Sequence, residues 1–79
     1  MTVRLLFLGR LQDVAGGGEQ IVRTEVATVA ALIAGLDPLL ATELRSDRVR
    51  VAVNGTIVGR EALLADGDEI AFLPPVSGG

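Results

Sequence analysis

The side chains that usually carry chemistry are scarce in this sequence. It has no Cys and no His. Thiol nucleophiles and thiolate-bound zinc are therefore excluded, as is the one side chain whose unperturbed pKa lies near neutrality. Carboxylates, hydroxyls, arginines and a chain end remain. Asp66, Asp68 and Glu69 crowd into four residues and are the oxygen ligands a hard cation such as Ca²⁺ or Mg²⁺ takes. Their spacing is not that of a calcium loop, and Asp66-Gly67-Asp68 reads as a turn. Gly16-Gly17-Gly18 lacks the Lys and the following Ser or Thr of a phosphate loop. Arg45, Arg48 and Arg50 suit an anion, but no second element supports them. Ser46 and Ser77 have no His to activate them, which excludes a hydrolase triad.

The chain end is the remaining candidate. The sequence closes on Pro74-Pro75-Val76-Ser77-Gly78-Gly79. Two prolines stiffen the exit and two glycines free it. Residues 75–79 extended would reach roughly 16 Å at ~3.3 Å per residue. Without side chains, Gly78 and Gly79 could thread a channel too narrow for other residues. An α-carboxylate has a pKa of about 3.5, is ionised at neutral pH and resists nucleophiles. It becomes reactive once a partner converts it to an acyl-adenylate with ATP. Such a partner supplies the magnesium and the phosphate contacts, and the carrier needs no catalytic side chain.

The elements that would position this end follow from hydrophobic periodicity. Thr2 to Leu8 reads as a strand with apolar residues on both faces, hence a central one. Leu11 and Val14 fit a short helical turn before the glycines. Glu19 to Val26 reads as a second strand, antiparallel to the first. Val29, Leu32, Ile33 and Leu36 form one helical stripe, with Thr28 as N-cap. Asp37-Pro38 ends that helix and starts another, carrying Leu40 and Leu44. Val49, Val51 and Val53 alternate with Arg48, Arg50 and Ala52, as in a half-buried strand. Asn54-Gly55 turns into the short strand Thr56-Ile57-Val58. Leu63 and Leu64 are expected to tuck beneath a loop. Glu69 to Pro74 is the last strand, after which Pro74 and Pro75 block further pairing.

The order β-β-α-(α)-β-β-β predicts an α+β fold. It consists of one mixed sheet of about five strands, with one main helix and a short second helix on one face. That is the outline of a ubiquitin-like β-grasp, with residues 1–74 as the domain and 75–79 as an extended, flexible tail. At 79 residues one domain is expected, with about 60% of the unfolded surface buried.

Charge bears on partners. All seven basic residues are Arg and the net charge is −3, far from the basic balance of a nucleic-acid-binding domain. Residues 1–60 sum to +1 and residues 61–79 to −4, so the acids of the C-terminal quarter form either a solvated turn or a collar for a basic partner. The longest apolar stretch, Val26 to Leu36, is too short to span a bilayer. Arg4-Leu5-Leu6-Phe7-Leu8 mimics a signal peptide but its apolar run is too short. A soluble, cytoplasmic protein without nucleic-acid or membrane contacts is expected, and no metal site.

The segment Leu64-Ala65-Asp66-Gly67-Asp68-Glu69-Ile70-Ala71-Phe72, followed by Leu73-Pro74-Pro75-Val76-Ser77-Gly78-Gly79, resembles the C-terminal signature of the molybdopterin synthase small-subunit family. Val51-Ala52-Val53-Asn54 resembles that family's middle strand and turn. Gly-Gly alone is shared with ubiquitin and the thiamine-pathway sulfur carrier; Pro-Pro-Val-Ser favours the molybdenum-cofactor branch.

The resemblance implies a sulfur carrier rather than an enzyme in its own right. The Gly79 carboxylate would be adenylated by an activating enzyme similar to ubiquitin E1, then made a thiocarboxylate with sulfur from a donor protein. The tail would enter a separate large subunit, in a heterotetramer, and pass sulfur to the cyclic pyranopterin precursor. ATP and Mg would belong to the activating partner, with no cofactor on this chain. Gly79 matches the sulfur-bearing end and Gly78 the residue before it. Pro75, Val76 and Ser77 match the tail within the partner's channel, rooted at Pro74. Leu73 stands where the family often has an aromatic residue. With Leu6 and Leu8 it would form a partner-facing patch; the alternative for Leu6, Leu8, Ala71 and Leu73 is a small second core under loops. Other readings are a carrier for thiamine or another sulfur pathway, a ubiquitin-like modifier, and an interaction module without chemistry.

Overall fold

The computed structural model describes residues 1–75. In chain order the elements are β1 (Thr2–Phe7), α1 (Leu11–Ala15), β2 (Glu19–Arg23), α2 (Val29–Ala34), α3 (Pro38–Leu44), β3 (Arg50–Val53), β4 (Thr56–Val58) and β5 (Glu69–Leu73). The strands form one sheet in the order β2-β1-β5-β3-β4. β1 runs antiparallel to β2 and parallel to β5, whereas β3 is antiparallel to both β4 and β5. This mixed sheet with helices on one face is the β-grasp arrangement, and β1 and β5 occupy its interior.

One face of the sheet carries the core. Val3, Leu5 and Phe7 of β1, Val51 of β3 and Ile70 and Phe72 of β5 meet Leu11, Val29, Leu32, Ile33, Leu40 and Leu44 from the helices. Phe7 and Phe72 are register partners with near-parallel rings whose centroids lie 5.5 Å apart. The only two aromatic residues of the chain thus stack across the central strand pair, an arrangement that adds to their burial.

The helical layer follows its caps. Thr28 accepts a hydrogen bond from the Ala31 amide at 3.2 Å, and the Asp37 carboxylate accepts from Leu39 and Leu40 at 3.1 and 3.3 Å. Because the Asp37-Pro38 step starts a new helix, the layer holds α2 and α3 of similar length in place of one main helix, and the shorter α1 adds Leu11 to it. The turn after the first strand closes into α1, which ends on Gly16 at φ +79°. At the hairpin between β3 and β4, Asn54 and Gly55 both have positive φ, as a tight primed turn requires.

Three expectations need correction. β2 ends at Arg23 instead of Val26, because the Thr24 hydroxyl accepts from the Val26 amide and the chain leaves the ladder. Val49 is buried but precedes its strand. Leu63 is 75% exposed rather than tucked in. Residues 62–64 run extended beside the start of α2, with Val29 bonding the Ala62 carbonyl and Leu64 bonding that of Ala27. Extended backbone alternates, so Ala62 and Leu64 pack inward and Leu63 points out.

Arg60 holds the long connection after β4. Its guanidinium donates to the carbonyls of Leu44, Ser46 and Val49 at 2.7, 2.9 and 3.0 Å. It thereby satisfies carbonyls at and beyond the C-terminal end of α3, which that helix cannot satisfy itself.

Candidate functional site

The helix-free face of the sheet is where the predicted patch lies. Alternation along β1 sends Leu6 there while Leu5 and Phe7 face the core. The registers then assemble a row across four strands: Leu6 opposite Ala71, Ala71 opposite Ala52, and Ala52 opposite Ile57. Glu19 of β2 is the register partner of Leu6 and ends the row. One step along, Leu8 follows β1 with its amide bonded to the Phe72 carbonyl at 3.1 Å. Leu73 lies opposite Arg50 on the same side. Leu6, Leu8, Ala71 and Leu73 thus stand on one face of the sheet.

These residues do not form a second core. Leu8 is 40% exposed and Leu6, Ala71 and Leu73 are half-buried, with none of them in the main cluster. Ala52, also on this face, is only 7% exposed. Its short side chain sits between Ala71 and Ile57 in the middle of the sheet, so strand neighbours cover it without any second layer. Ile57 belongs to the patch and was not foreseen. Its only signal was the Asn54-Gly55 turn, which sets the β3–β4 register and so puts Ile57 beside Ala52.

The patch has a charged border. Arg4 bonds Glu69 through Nη2 and approaches Glu19 through Nε at 3.3 Å. The hydrogen bond to Glu69, followed by that residue's charge, raises the Arg4 pKa further above its ordinary value. Arg4 is thus a permanent cation there. The neighbouring acids are engaged locally. Asp66 Oδ1 accepts from the Thr2 amide at 2.7 Å, and Asp68 accepts from the Ala65 amide and the Asn54 side chain, both at 2.8 Å. Asn54 in turn accepts from the Glu69 amide at 3.0 Å. The acidic turn is therefore a structural network that fixes the start of β5, and no acidic metal cluster occurs among the described residues.

At the far end of β5 the chain leaves the sheet. Gly9, at φ +53°, is packed so closely that a Cβ there would lie 2.9 Å from the Pro74 ring. Pro74 and Pro75 are both half-buried. The root of the tail is thus set against the β1–α1 turn, immediately beside Leu8 and Leu73. The predicted residues Val76, Ser77, Gly78 and Gly79 lie outside the described residues. Among the described residues no helix is long and apolar enough to cross a membrane.

Comparison with known proteins gives a consistent picture. The model of the ThiS family matches residues 5–79. The molybdopterin synthase sulfur carrier subunit of Escherichia coli is 35% identical over 80 residues, covering 98% of this chain and 99% of that protein. The protein of the same name from Haemophilus influenzae is 31% identical over the same shares. Among solved structures, the small archaeal modifier protein SAMP1 of Haloferax volcanii superposes with a TM-score of 0.82 at 32% identity, covering 100% of both chains.

Proposed function

The chain belongs to the ThiS family, and from that membership we propose that it is the sulfur-carrier subunit of a molybdopterin synthase, acting through Gly79. Two full-length relatives bear that name. The observation that carries the reading is the apolar patch on the uncovered sheet face, which meets the Pro74-Pro75 exit at Leu73 and Leu8. A carrier needs a docking surface beside its reactive end and little else.

In this reading residues 1–74 are a rigid handle and 75–79 the working segment. The Gly79 carboxylate oxygen attacks the α-phosphate of ATP on an E1-like adenylyltransferase that holds the Mg, and pyrophosphate leaves. The outer sulfur of a persulfide on a donor protein then attacks the acyl carbon and AMP leaves. A thiol cleaves the resulting acyl disulfide, forming a disulfide with the donor's sulfur and releasing the thiocarboxylate. That species enters the large subunit, where the sulfur passes to the pyranopterin precursor. Leu6, Leu8 and Leu73 dock on each partner, Pro75, Val76 and Ser77 line the approach, and Gly78 keeps it narrow. ATP and Mg belong to the partner, and the catalytic groups of the synthase to its large subunit.

The test is the mass of the protein isolated from its native host, which should include a fraction with one terminal oxygen replaced by sulfur. Appending an alanine after Gly79 should abolish that fraction and the activity of the reconstituted synthase, with the fold intact. An extended chain that worked as well as the native one would end the proposal. A second reading, attachment to other proteins, is favoured by the likeness to SAMP1. It predicts conjugates joined through Gly79 to lysines, visible as branched peptides after digestion.

A further inference from the structure

The two sheet edges are β2 and β4. Along β2 the inward hydrogen bonds belong to the even residues. The Phe7 amide bonds the Gly18 carbonyl at 2.9 Å, and the Thr24 amide bonds that of Met1, also at 2.9 Å. An antiparallel ladder alternates, so Gly18, Gln20, Val22 and Thr24 face β1 with their backbone groups. The amides and carbonyls of Glu19, Ile21 and Arg23 consequently face outward at the edge.

The side chains of those same three residues stand on the helix-free face, because Ile21 is the register partner of Arg4 and Glu19 that of Leu6. Ile21 is 61% exposed. The strand thus reads Glu-x-Ile-x-Arg along one line, with its outward backbone groups unpaired among the described residues.

We propose that β2 is a self-association edge, where a second copy of this chain adds its own β2 antiparallel about a two-fold axis at Ile21. In that register Ile21 meets Ile21 of the second copy, and Glu19 meets Arg23 of the second copy twice over. Both requirements coincide: the register that pairs opposite charges is also the one that brings each outward amide to an outward carbonyl. Slipping it by one residue would set outward groups against inward ones and turn Ile21 from its counterpart. Natural edge strands are often blunted by repelling charges, but Glu19 and Arg23 attract in this pairing. The other edge offers no equivalent, since β4 is three residues long and uncharged, Thr56 to Val58.

The two sheets join into one, with both apolar patches on the same side and both tail roots on β5, the third strand counted from the seam. Self-association therefore leaves the docking surface open. A seam of five residues per copy is small beside a standard interface, so the dimer forms at high protein concentration and exchanges readily.

Sedimentation velocity of the full chain between roughly 10 µM and 1 mM should show a monomer–dimer equilibrium. Arg23→Glu makes a strand with Glu at both positions, and Glu19→Arg makes one with Arg at both. Each alone should raise the dimer dissociation constant at least tenfold, and circular dichroism should report both as folded. Mixed in equal amounts, the two should associate again within about threefold of the native strength, because every charge pair across the seam is then complementary. A chain monomeric at 1 mM overturns the proposal. So does a dimer that both variants leave unchanged but that Leu6→Asp abolishes, which would place the contact on the apolar patch. Neither result bears on the mass of the Gly79 species, so the carrier reading stands or falls separately.

Discussion

At the scale of single residues, the proposed chemistry belongs to the chain end, and side chains are proposed to present surfaces to partners. Leu8 is exposed at the tail root and supports no core contact. Leu8→Asp should therefore change stability by less than about 0.5 kcal/mol. It should weaken binding to the proposed activating enzyme about tenfold, as a charge within an apolar contact does. Calorimetric titration of the native and variant chains checks this. Arg60 is the opposite case, a charged side chain with a purely architectural task. It bonds three carbonyls spread over residues 44–49. Arg60→Ala should cost about 2–4 kcal/mol in urea unfolding, and Arg60→Lys should recover only part, because an ammonium lacks the planar fork. Nothing near Arg60 in sequence announces this. Its partners lie 11 to 16 positions away and are backbone oxygens, which no residue pattern encodes.

At the scale of elements, local chemistry decides most boundaries. Thr28 and Asp37 act as the caps their types and positions predict. Asp37→Ala leaves two first-turn amides of α3 without their acceptor and should lower stability by about 1 kcal/mol. A Thr28→Ala change should cost a similar amount, and since it acts on a different helix the double variant should be close to the sum. Urea midpoints of the three chains measure it. Two differences from expectation at this scale share one cause. Leu63 is apolar and adjacent to Leu64, so composition pointed both inward. The bridge between Thr28 and Leu63 imposes strand alternation there, and only one of two neighbours can then face the core. Likewise the valine alternation marked β3 but not that Ala52 would be covered, which depends on the strands beside it.

At the scale of the whole molecule, a small core must be complete. Phe72 is fully buried, stacks on Phe7 and pairs with Val51 across β3. Phe72→Ala should cost about 3–5 kcal/mol, most of the stability of a domain near the lower end of the usual 5–15 kcal/mol. A large unfolded fraction in the amide spectrum at room temperature is the expected result. The same central strand carries the tail root, so the best-buried part of the sheet anchors the segment proposed to reach into partners. A rigid anchor keeps the reach of residues 75–79 from being spent on motion of the handle.

The sequence by itself determined the element order, the caps, the primed turn at Asn54-Gly55 and the C-terminal signature. Each of these depends on neighbours within a few positions, and the absence of Cys and His excluded thiol and imidazole chemistry without any coordinates. Only the tertiary structure decided which residues stand together. The row from Leu6 through Ala71 and Ala52 to Ile57 spans four strands. The outward phase of Glu19, Ile21 and Arg23 follows from how β2 meets β1. Strand register is fixed by packing and turn geometry acting together across the sheet, and a one-residue slip would exchange its two faces. That dependence on distant partners is why the surfaces of this protein had to be seen in the fold.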